Sequence, residues 1–498
     1  MRLTPKIYWD LLAALAGLLY TLAFAPFDVP YLALIALALL FATWQHATPL
    51  QALYRGYLFG LMAFGLGVSW VYVSIHDFGG ADVLSSGSLT FLIVAFWGIF
   101  PALVAYLSVK IRLINQRFSV IFTVPIVWVL IEYLRGYLIL NGFPWLQVAY
   151  SQLETPLAGY IPVLGAYGTG FLVALTATML ISVVQVKKHR SLMAILLLSL
   201  WLTGSGLKTI NWTTAIGEPI RVSLIQGNIS QDQKWRPENL LTTMSFYKAM
   251  TEAHWDSAVI VWPETAIPAY LSEVKDWYLL PLSVAAQQHK SDLIVSLPLR
   301  EEVSHERYNA VMTLGKDMEI YRKIHLLPFG EYLPWQPLSG FILDSLGIAL
   351  GNFTPGADDQ MLLKAGGYSF ITSICYEDVF GSATVKNLSE AAYLVNVTND
   401  GWFGHSMEPQ QHLQMARMRA LETGRYLLRA TNTGVTAIVA PDGQVIKQAP
   451  PFEAIVLTDE IIPMAGVTPY TRLGDHMVVA LLALWLCVLI YHRFTLKK

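Results

Sequence analysis

Apolar stretches dictate most of what this chain can fold into. Seven precede residue 208, at roughly 8–24, 31–44, 53–75, 89–109, 118–133, 163–186 and 192–207. One more, 477–491, follows residue 475. A helix needs about 20 residues to cross the hydrocarbon of a bilayer. The runs at 31–44, 192–207 and 477–491 are therefore marginal, and the runs 8–24 and 31–44 suit a tight hairpin pair. Buried helices of a soluble protein would not be so many or so long. Composition agrees: 54% of residues are hydrophobic and 14% charged, against about 25% charged in soluble domains. The expected organisation is helices 1–7 over 1–207, an extramembrane domain over 208–475, and a last span with its tail over 476–498.

Lys and Arg in short loops set the orientation of such a chain. Arg2 and Lys6, Arg55, Lys110 with Arg112 and Arg117, Lys187 with Lys188 and Arg190, and Arg493 with Lys497 and Lys498 all fall in alternate connections. The loops 25–30, 76–88 and 136–160 contain no Lys or Arg. This pattern puts both termini in the cytoplasm and 208–475 on the opposite face. The first run resembles a signal peptide. It lacks a clear small-residue cleavage site and leads straight into further spans, so it reads as retained. Glu132 and Arg135, near the end of the fifth run, are spaced to pair on one helix face. A net charge of −2 argues against a nucleic-acid partner. Two cysteines give no disulfide framework.

Residues 208–475 change character. Short β-branched runs appear at 220–225, 258–262, 293–297, 310–314, 370–374, 393–397, 435–439 and 455–457. Helical patterns cover 237–254 and 407–426, and Asp442-Gly443 is a hairpin turn signal. Strands mixed with helices in a segment this size predict one α/β domain.

Three polar residues stand out within it. Cys375 ends the strand-like run 368–374, whereas the other cysteine, Cys487, lies in an apolar run. Glu264 follows an apolar strand and Trp262-Pro263. Burial there raises a carboxyl pKa toward the range useful for a general base. Lys323 lies in a strand-like run over 320–327. Taken singly, each has a plainer reading: a helix cap or ion-pair partner for Glu264, a solvated face for Lys323, an inert buried thiol for Cys375. Together, a thiol, a base and an ammonium make an acyl-transfer set.

Glu, Lys and Cys in that chain order resemble the nitrilase (carbon–nitrogen hydrolase) superfamily. Longer motifs narrow the resemblance to its apolipoprotein N-acyltransferase branch. These are Gln226-Gly227-Asn228-Ile229, Trp262-Pro263-Glu264-Thr265, Arg307-Tyr308-Asn309, His325 through Glu331, Ile374-Cys375-Tyr376-Glu377, Asn399 through Gly404, Arg417 through Glu422, and Asn432-Thr433-Gly434. Gly142-Phe143-Pro144-Trp145 in the apolar half fits the same branch. The resemblance implies a polytopic α-helical membrane domain, here of about eight spans, plus an α/β nitrilase-like αββα sandwich.

It also implies a catalytic triad of Glu264, Lys323 and Cys375, with Glu331, Trp235, Asn309, Tyr376 and Glu377 in support. The plainer roles for the last four are a membrane-interface aromatic, a backbone-satisfying amide, a packing ring and a structural ion-pair partner. The implied partners are a phospholipid acyl donor, phosphatidylethanolamine in the family, and a diacylglyceryl apolipoprotein acceptor. The implied location is the bacterial inner membrane, with the catalytic domain periplasmic. No cofactor or metal is expected. Two other classes compete: a membrane-tethered amidase acting on C–N bonds, and a transporter with an accessory domain. The spans carry almost no charge beyond Glu132 and Arg135, which weighs against an ion pathway.

Overall fold

The computed structural model describes residues 5–114, 119–316, 318–334 and 352–495. Arg2, Arg117, Lys497 and Lys498, which contribute to the charge bias, lie outside the described residues. The chain divides into two compact units. One contains residues up to 72 together with 82–211 and 472–498; the other contains 73–81 and 212–471.

The first unit is helical. Its helices are Pro5–Thr21, Tyr31–Thr43, Pro49–Gly67, Val83–Ile114, Ser119–Tyr133, Ile161–Gln185 and Arg190–Leu207, and Pro469–Thr495 closes the chain. Among the described residues, by length and composition, five helices can cross a membrane, and six if Pro49–Gly67 and Val71–Phe78, bent by 58°, count as one span. Pro5–Thr21 has 17 residues and Tyr31–Thr43 only 13, so neither adds to that number by length alone. At 1.5 Å per residue a 13-residue helix covers about 20 Å, short of the hydrocarbon thickness. Small residues let neighbouring helices approach closely. A Cβ on Gly60 would lie 2.7 Å from the Gly98 Cα, so Pro49–Gly67 and Val83–Ile114 meet backbone to backbone there.

Glu132 and Arg135 do not form the expected contact pair. Arg135 donates to the Phe143 and Trp145 carbonyls, both at 2.6 Å, and Glu132 accepts from the Val148 N–H at 3.1 Å. Both charges hold the irregular backbone of 139–148, whose polar groups need partners inside the helical unit.

The second unit holds the strands β1 Thr214–Ala215, β2 Ile220–Gln226, β3 Val259–Val261, β4 Asp292–Arg300, β5 Arg307–Leu314, β6 Ile320–Arg322, β7 Leu363–Ala365, β8 Tyr368–Ile374, β9 Tyr393–Thr398, β10 Leu427–Thr431, β11 Ala437–Val439, β12 Val445–Gln448, β13 Ile455–Ile461 and β14 Met464–Ala465. One six-stranded sheet runs β13-β2-β3-β4-β5-β6, the other β12-β11-β10-β9-β8-β7, and β1 pairs with β14. The central strands β2-β3-β4 and β8-β9-β10 are parallel; the outer pairings are antiparallel. The hairpin β11–β12 turns at Asp442-Gly443 as its sequence predicts, with the Ala440 N–H bonded to the Gln444 carbonyl.

Period-2 alternation sorts the strand residues into layers. Val222, Leu224, Val259, Val261 and Ile294 meet Phe370, Ile374, Val395, Val397, Leu428 and Ile438 in one core between the sheets. Their neighbours Ile225, Ile260, Leu293 and Val295 face the other way, packing on Met244, Tyr247, Leu282 and Ala286 of helices Leu240–Glu252 and Leu280–His289. Leu394, Leu427, Ala437 and Val439 likewise pack on Leu413, Ala416 and Ala420 of helix Glu408–Thr423. The order is helix, sheet, sheet, helix. Residues 73–81 belong to this unit too: the Phe78 ring meets Trp402 edge-on at 6.1 Å.

Candidate active site

The candidate groups lie where strands end. Val261 finishes β3 and the chain turns through Trp262-Pro263 to Glu264. Trp262 is fully buried, stacked 4.9 Å from Tyr247, with its indole N–H on the Thr251 hydroxyl at 3.0 Å. That anchor fixes the turn. Thr265 takes a positive φ of 48°, and its N–H donates to the Ser296 hydroxyl at 2.9 Å. Glu264 is thereby held with its carboxyl buried.

Asn309, on β5, points at two carboxylates rather than at backbone. Its Nδ2 donates to Glu264 Oε1 at 2.7 Å and to Glu331 Oε1 at 3.2 Å. Lys323 is the first residue beyond β6. Its N–H bonds the Asn309 carbonyl at 2.8 Å, and its Nζ lies 2.8 Å from Glu331 Oε2. The turn through Pro328-Phe329-Gly330 returns Glu331 to the site. The Leu327 N–H donates to Glu331 Oε2 at 2.8 Å, and the Glu331 N–H to the Leu327 carbonyl at 2.9 Å.

Cys375 follows β8 at φ 51°, entering a single turn over Cys375–Val379. A non-glycine residue at positive φ is strained, and such strain is held where the surroundings over-determine it. Glu377, buried two residues later, supplies part of that hold. Its Oε2 accepts from the Ile374 N–H at 2.8 Å. Its Oε1 accepts from the N–H groups of Ile324 and His325, at 2.6 and 3.0 Å, and from the Tyr321 hydroxyl at 3.0 Å. One side chain so ties the cysteine turn to the lysine loop. The strand expected over 320–327 ends at Arg322: the Lys323 N–H still bonds Asn309 on β5, but the N–H groups of Ile324 and His325 serve Glu377 rather than a neighbouring strand.

Electrostatics follow from burial and these neighbours. Burial pulls the Lys323 pKa down, but Glu331, Cys375, Glu264 and Glu377 outweigh it, so the side chain remains an ammonium. Burial lifts the Glu264 carboxyl above its ordinary range, with Lys323 opposing. Burial pushes the Cys375 thiol up to about 12; Glu264 adds to this, while Lys323 and His412 oppose it. Burial also raises Glu377 to about 7, against Lys323 and its backbone donors. The resting cysteine is a neutral thiol, so nucleophilic attack needs a base at the moment of reaction.

Glu264, Asn309, Glu331, Lys323 and Glu377 are thus brought together around Cys375. Tyr376 is buried beside them, edge-on to Phe380 at 5.3 Å. Trp235 is half exposed at the end of the short helix Gln231–Lys234, and no contact joins it to these groups among the described residues.

The sequence reading missed two sets of residues. Lys234 is buried, with Nζ 3.0 Å from the Glu264 carbonyl oxygen. Behind the cysteine turn lies a second buried network. His412 Nε2 contacts Asp378 at 2.8 Å and Nδ1 contacts Asp400 at 3.2 Å; Arg429 contacts Asp378 at 3.0 Å and Asp400 at 3.2 Å. Burial and Arg429 disfavour a charged His412, but Asp378 and Asp400 overcome them and hold it protonated. Arg429 also reaches Asn396, whose amide donates to the Ser373 hydroxyl at 3.0 Å. The available signal was Arg429 itself, a charge inside the apolar run Leu427–Thr431. Asp400, Glu408 and His412 bring possible metal-ligand atoms within 4.8 Å of one another. Both His412 nitrogens and both acidic partners of Arg429 are engaged in ion pairs, while Glu408 Oε2 is buried without a hydrogen-bond partner among the described residues.

Known proteins match both units. A family model described as the apolipoprotein N-acyltransferase N-terminal domain matches residues 16–179, and the carbon–nitrogen hydrolase model matches 221–470. An apolipoprotein N-acyltransferase of Methylococcus capsulatus is 49% identical over 474 residues, covering 95% of this chain and 94% of that protein. One from Nitrosomonas europaea is 42% identical, covering 96% of each chain. A solved structure, Saccharomyces cerevisiae Nit3 of the nitrilase superfamily, is 18% identical with a TM-score of 0.39, covering 50% of this chain and 93% of that one. By its matched domains and by near full-length identity to these relatives, the chain belongs to the apolipoprotein N-acyltransferase family.

Proposed function

We propose that Cys375 carries the acyl group in a two-step transfer from a phospholipid to a lipoprotein N-terminus. The enzyme is an acyltransferase of lipoprotein biosynthesis, and the reading as an amidase is not favoured.

In the first step the Glu264 carboxylate accepts the Cys375 proton as sulfur bonds to the ester carbonyl carbon. Lys323 and a backbone N–H at the Tyr376 turn stabilise the oxyanion. The acyl C–O bond breaks, and the proton passes from Glu264 to the leaving oxygen. The products are a lysophospholipid and a Cys375 thioester. In the second step the α-amino group of a diacylglyceryl-cysteine attacks the thioester. The C–S bond breaks, the amine gives up a proton, and the thiol is restored beside a new amide. Glu331 orients Lys323, and Asn309 holds Glu264 and Glu331 in register. Glu377 fixes the turn on which Cys375 and Tyr376 sit. Trp235 is assigned to substrate contact.

The observation that carries this reading is the hydrogen-bonded series Glu264–Asn309–Glu331–Lys323, coupled electrostatically to a cysteine at positive φ. Phosphatidylethanolamine is the proposed donor. The proposed setting is the bacterial inner membrane, with both termini cytoplasmic and 208–475 periplasmic, which the Lys/Arg bias of the loops supports. An acyl chain gains about 0.8 kcal/mol per buried CH₂, so a membrane-anchored enzyme meets its donor without extracting it into water. Incubation with phospholipid labelled in its acyl chain tests the chemistry: label should remain on Cys375 after lipid extraction. Reporter fusions test the topology, and should read cytoplasmic at residue 188 and periplasmic at residue 215.

A further inference from the structure

One buried charge beside the site has no part in the mechanism above. Lys234 ends the short helix Gln231–Lys234 and is 3% exposed. An ammonium has three donor hydrogens, and burying it is costly without carboxylates in contact. Yet its hydrogen-bond acceptor is a neutral one, the Glu264 carbonyl oxygen at 3.0 Å, and no carboxylate lies within ion-pair distance among the described residues. The charge that compensates Lys234 is the Glu264 carboxylate, acting through space.

The coupling runs both ways. The groups that act on the Glu264 carboxyl are the Lys323 ammonium, the Glu331 carboxylate, the Asn309 amide, Lys234 and the Cys375 thiol. Lys323 is committed in contact to Glu331, which itself repels Glu264. Lys234 is then a second positive charge, from a different element, gripping the same residue by its backbone.

We infer that Lys234 is a positioning residue for the acylation step: it clamps the Glu264 backbone and supplies positive charge that keeps the Glu264 carboxyl ionised and able to accept the Cys375 proton. Burial draws the Lys234 ammonium down to about 8, with Glu264 opposing, and Lys234 in turn favours the ionised form of Glu264. Lys234 touches no reacting atom. This inference rests on the reading of Glu264 as the base.

The test is the pH dependence of thioester formation on Cys375, measured on the full-length enzyme in detergent with acyl-labelled phosphatidylethanolamine. The variants are Lys234→Gln, which keeps a donor for the Glu264 carbonyl but loses the charge, and Lys234→Arg, which keeps the charge. Lys234→Met replaces the Gln variant should that one not fold. Loss of the charge should move the acidic limb to higher pH by about one unit. On that limb the rate then falls about tenfold more than on the plateau. Lys234→Arg should bring the limb back. A uniform loss at every pH, or an unmoved limb, overturns the inference and marks Lys234 as packing alone. Glu264→Gln separates the two readings: if it still acylates Cys375 with the parental limb, Glu264 is not the base. If it is silent while Lys234→Gln keeps the parental limb, only the role of Lys234 fails.

Discussion

Lys323 Nζ lies 2.8 Å from Glu331 Oε2 although Glu331 comes eight positions later in the chain, beyond a Pro-Phe-Gly turn. The pair is buried, and the same carboxylate oxygen also accepts the Leu327 N–H. Glu331 is therefore an anchored partner rather than a free acid. Glu331→Gln keeps the shape and one acceptor but loses the charge that holds the lysine. Turnover should fall by roughly 10²–10⁴-fold, the range for a lost acid–base or orienting group, while some acyl-enzyme stays detectable. Thioester accumulation and amide formation measured separately check this. Full activity would reduce Glu331 to a loop tie.

Glu264→Gln should stop the first half-reaction altogether, because a carboxamide cannot accept the thiol proton. Thioester should be absent even after long incubation, in contrast to Glu331→Gln. Matching profiles for the two variants would refute the division of labour between them.

The acid side of the pH profile follows from burial. The Glu264 carboxyl is lifted above its ordinary range. As pH falls through that raised value the base becomes protonated and acylation declines. The decline should begin at higher pH than the ordinary glutamate value of about 4.3. Lys323 is also raised above its ordinary value, by its anionic neighbours against burial, so the ammonium is not lost on the alkaline side near neutrality. Single-turnover acylation rates across pH report both.

Much of this site is legible in the sequence. The runs 258–262 and 370–374 lead into Glu264 and Cys375, and polar residues just beyond the carboxyl ends of strands mark a site. Other parts were hidden for physical reasons. The helical pattern 407–426 runs almost into strand β10, but the helix ends at Thr423 with Gly424 at φ 62°, and only Gly424-Arg425-Tyr426 separate the two elements. The ion pairs of Arg429, His412, Asp378 and Asp400 join residues up to 51 positions apart, and no local pattern reports such a contact. Lys234 reads as a surface lysine of a polar segment, Ser-Gln-Asp-Gln-Lys; only the packed structure buries it. Helix length was hidden as well: apolarity is legible over 31–44, but the helix Tyr31–Thr43 stops after 13 residues.

The buried network behind the cysteine turn should matter for stability. Arg429 is fully buried between Asp378 and Asp400. Arg429→Met leaves two buried carboxylates short of a counter-charge, which costs about 3–5 kcal/mol. Thermal unfolding in detergent should show a lowered transition. An unchanged transition would mean that water or His412 alone satisfies both carboxylates.

The central claim is that the acyl group passes through the sulfur of Cys375. Intact-mass and peptide mass spectrometry, after incubation with a phospholipid donor and no acceptor, tests it directly. The parent enzyme should carry one acyl chain on the peptide containing Cys375, released by hydroxylamine. Cys375→Ser should carry none while remaining folded and membrane-inserted, and Cys487→Ser should behave like the parent. An acyl adduct on another residue, or amide formation by Cys375→Ser at the parental rate, would contradict the account.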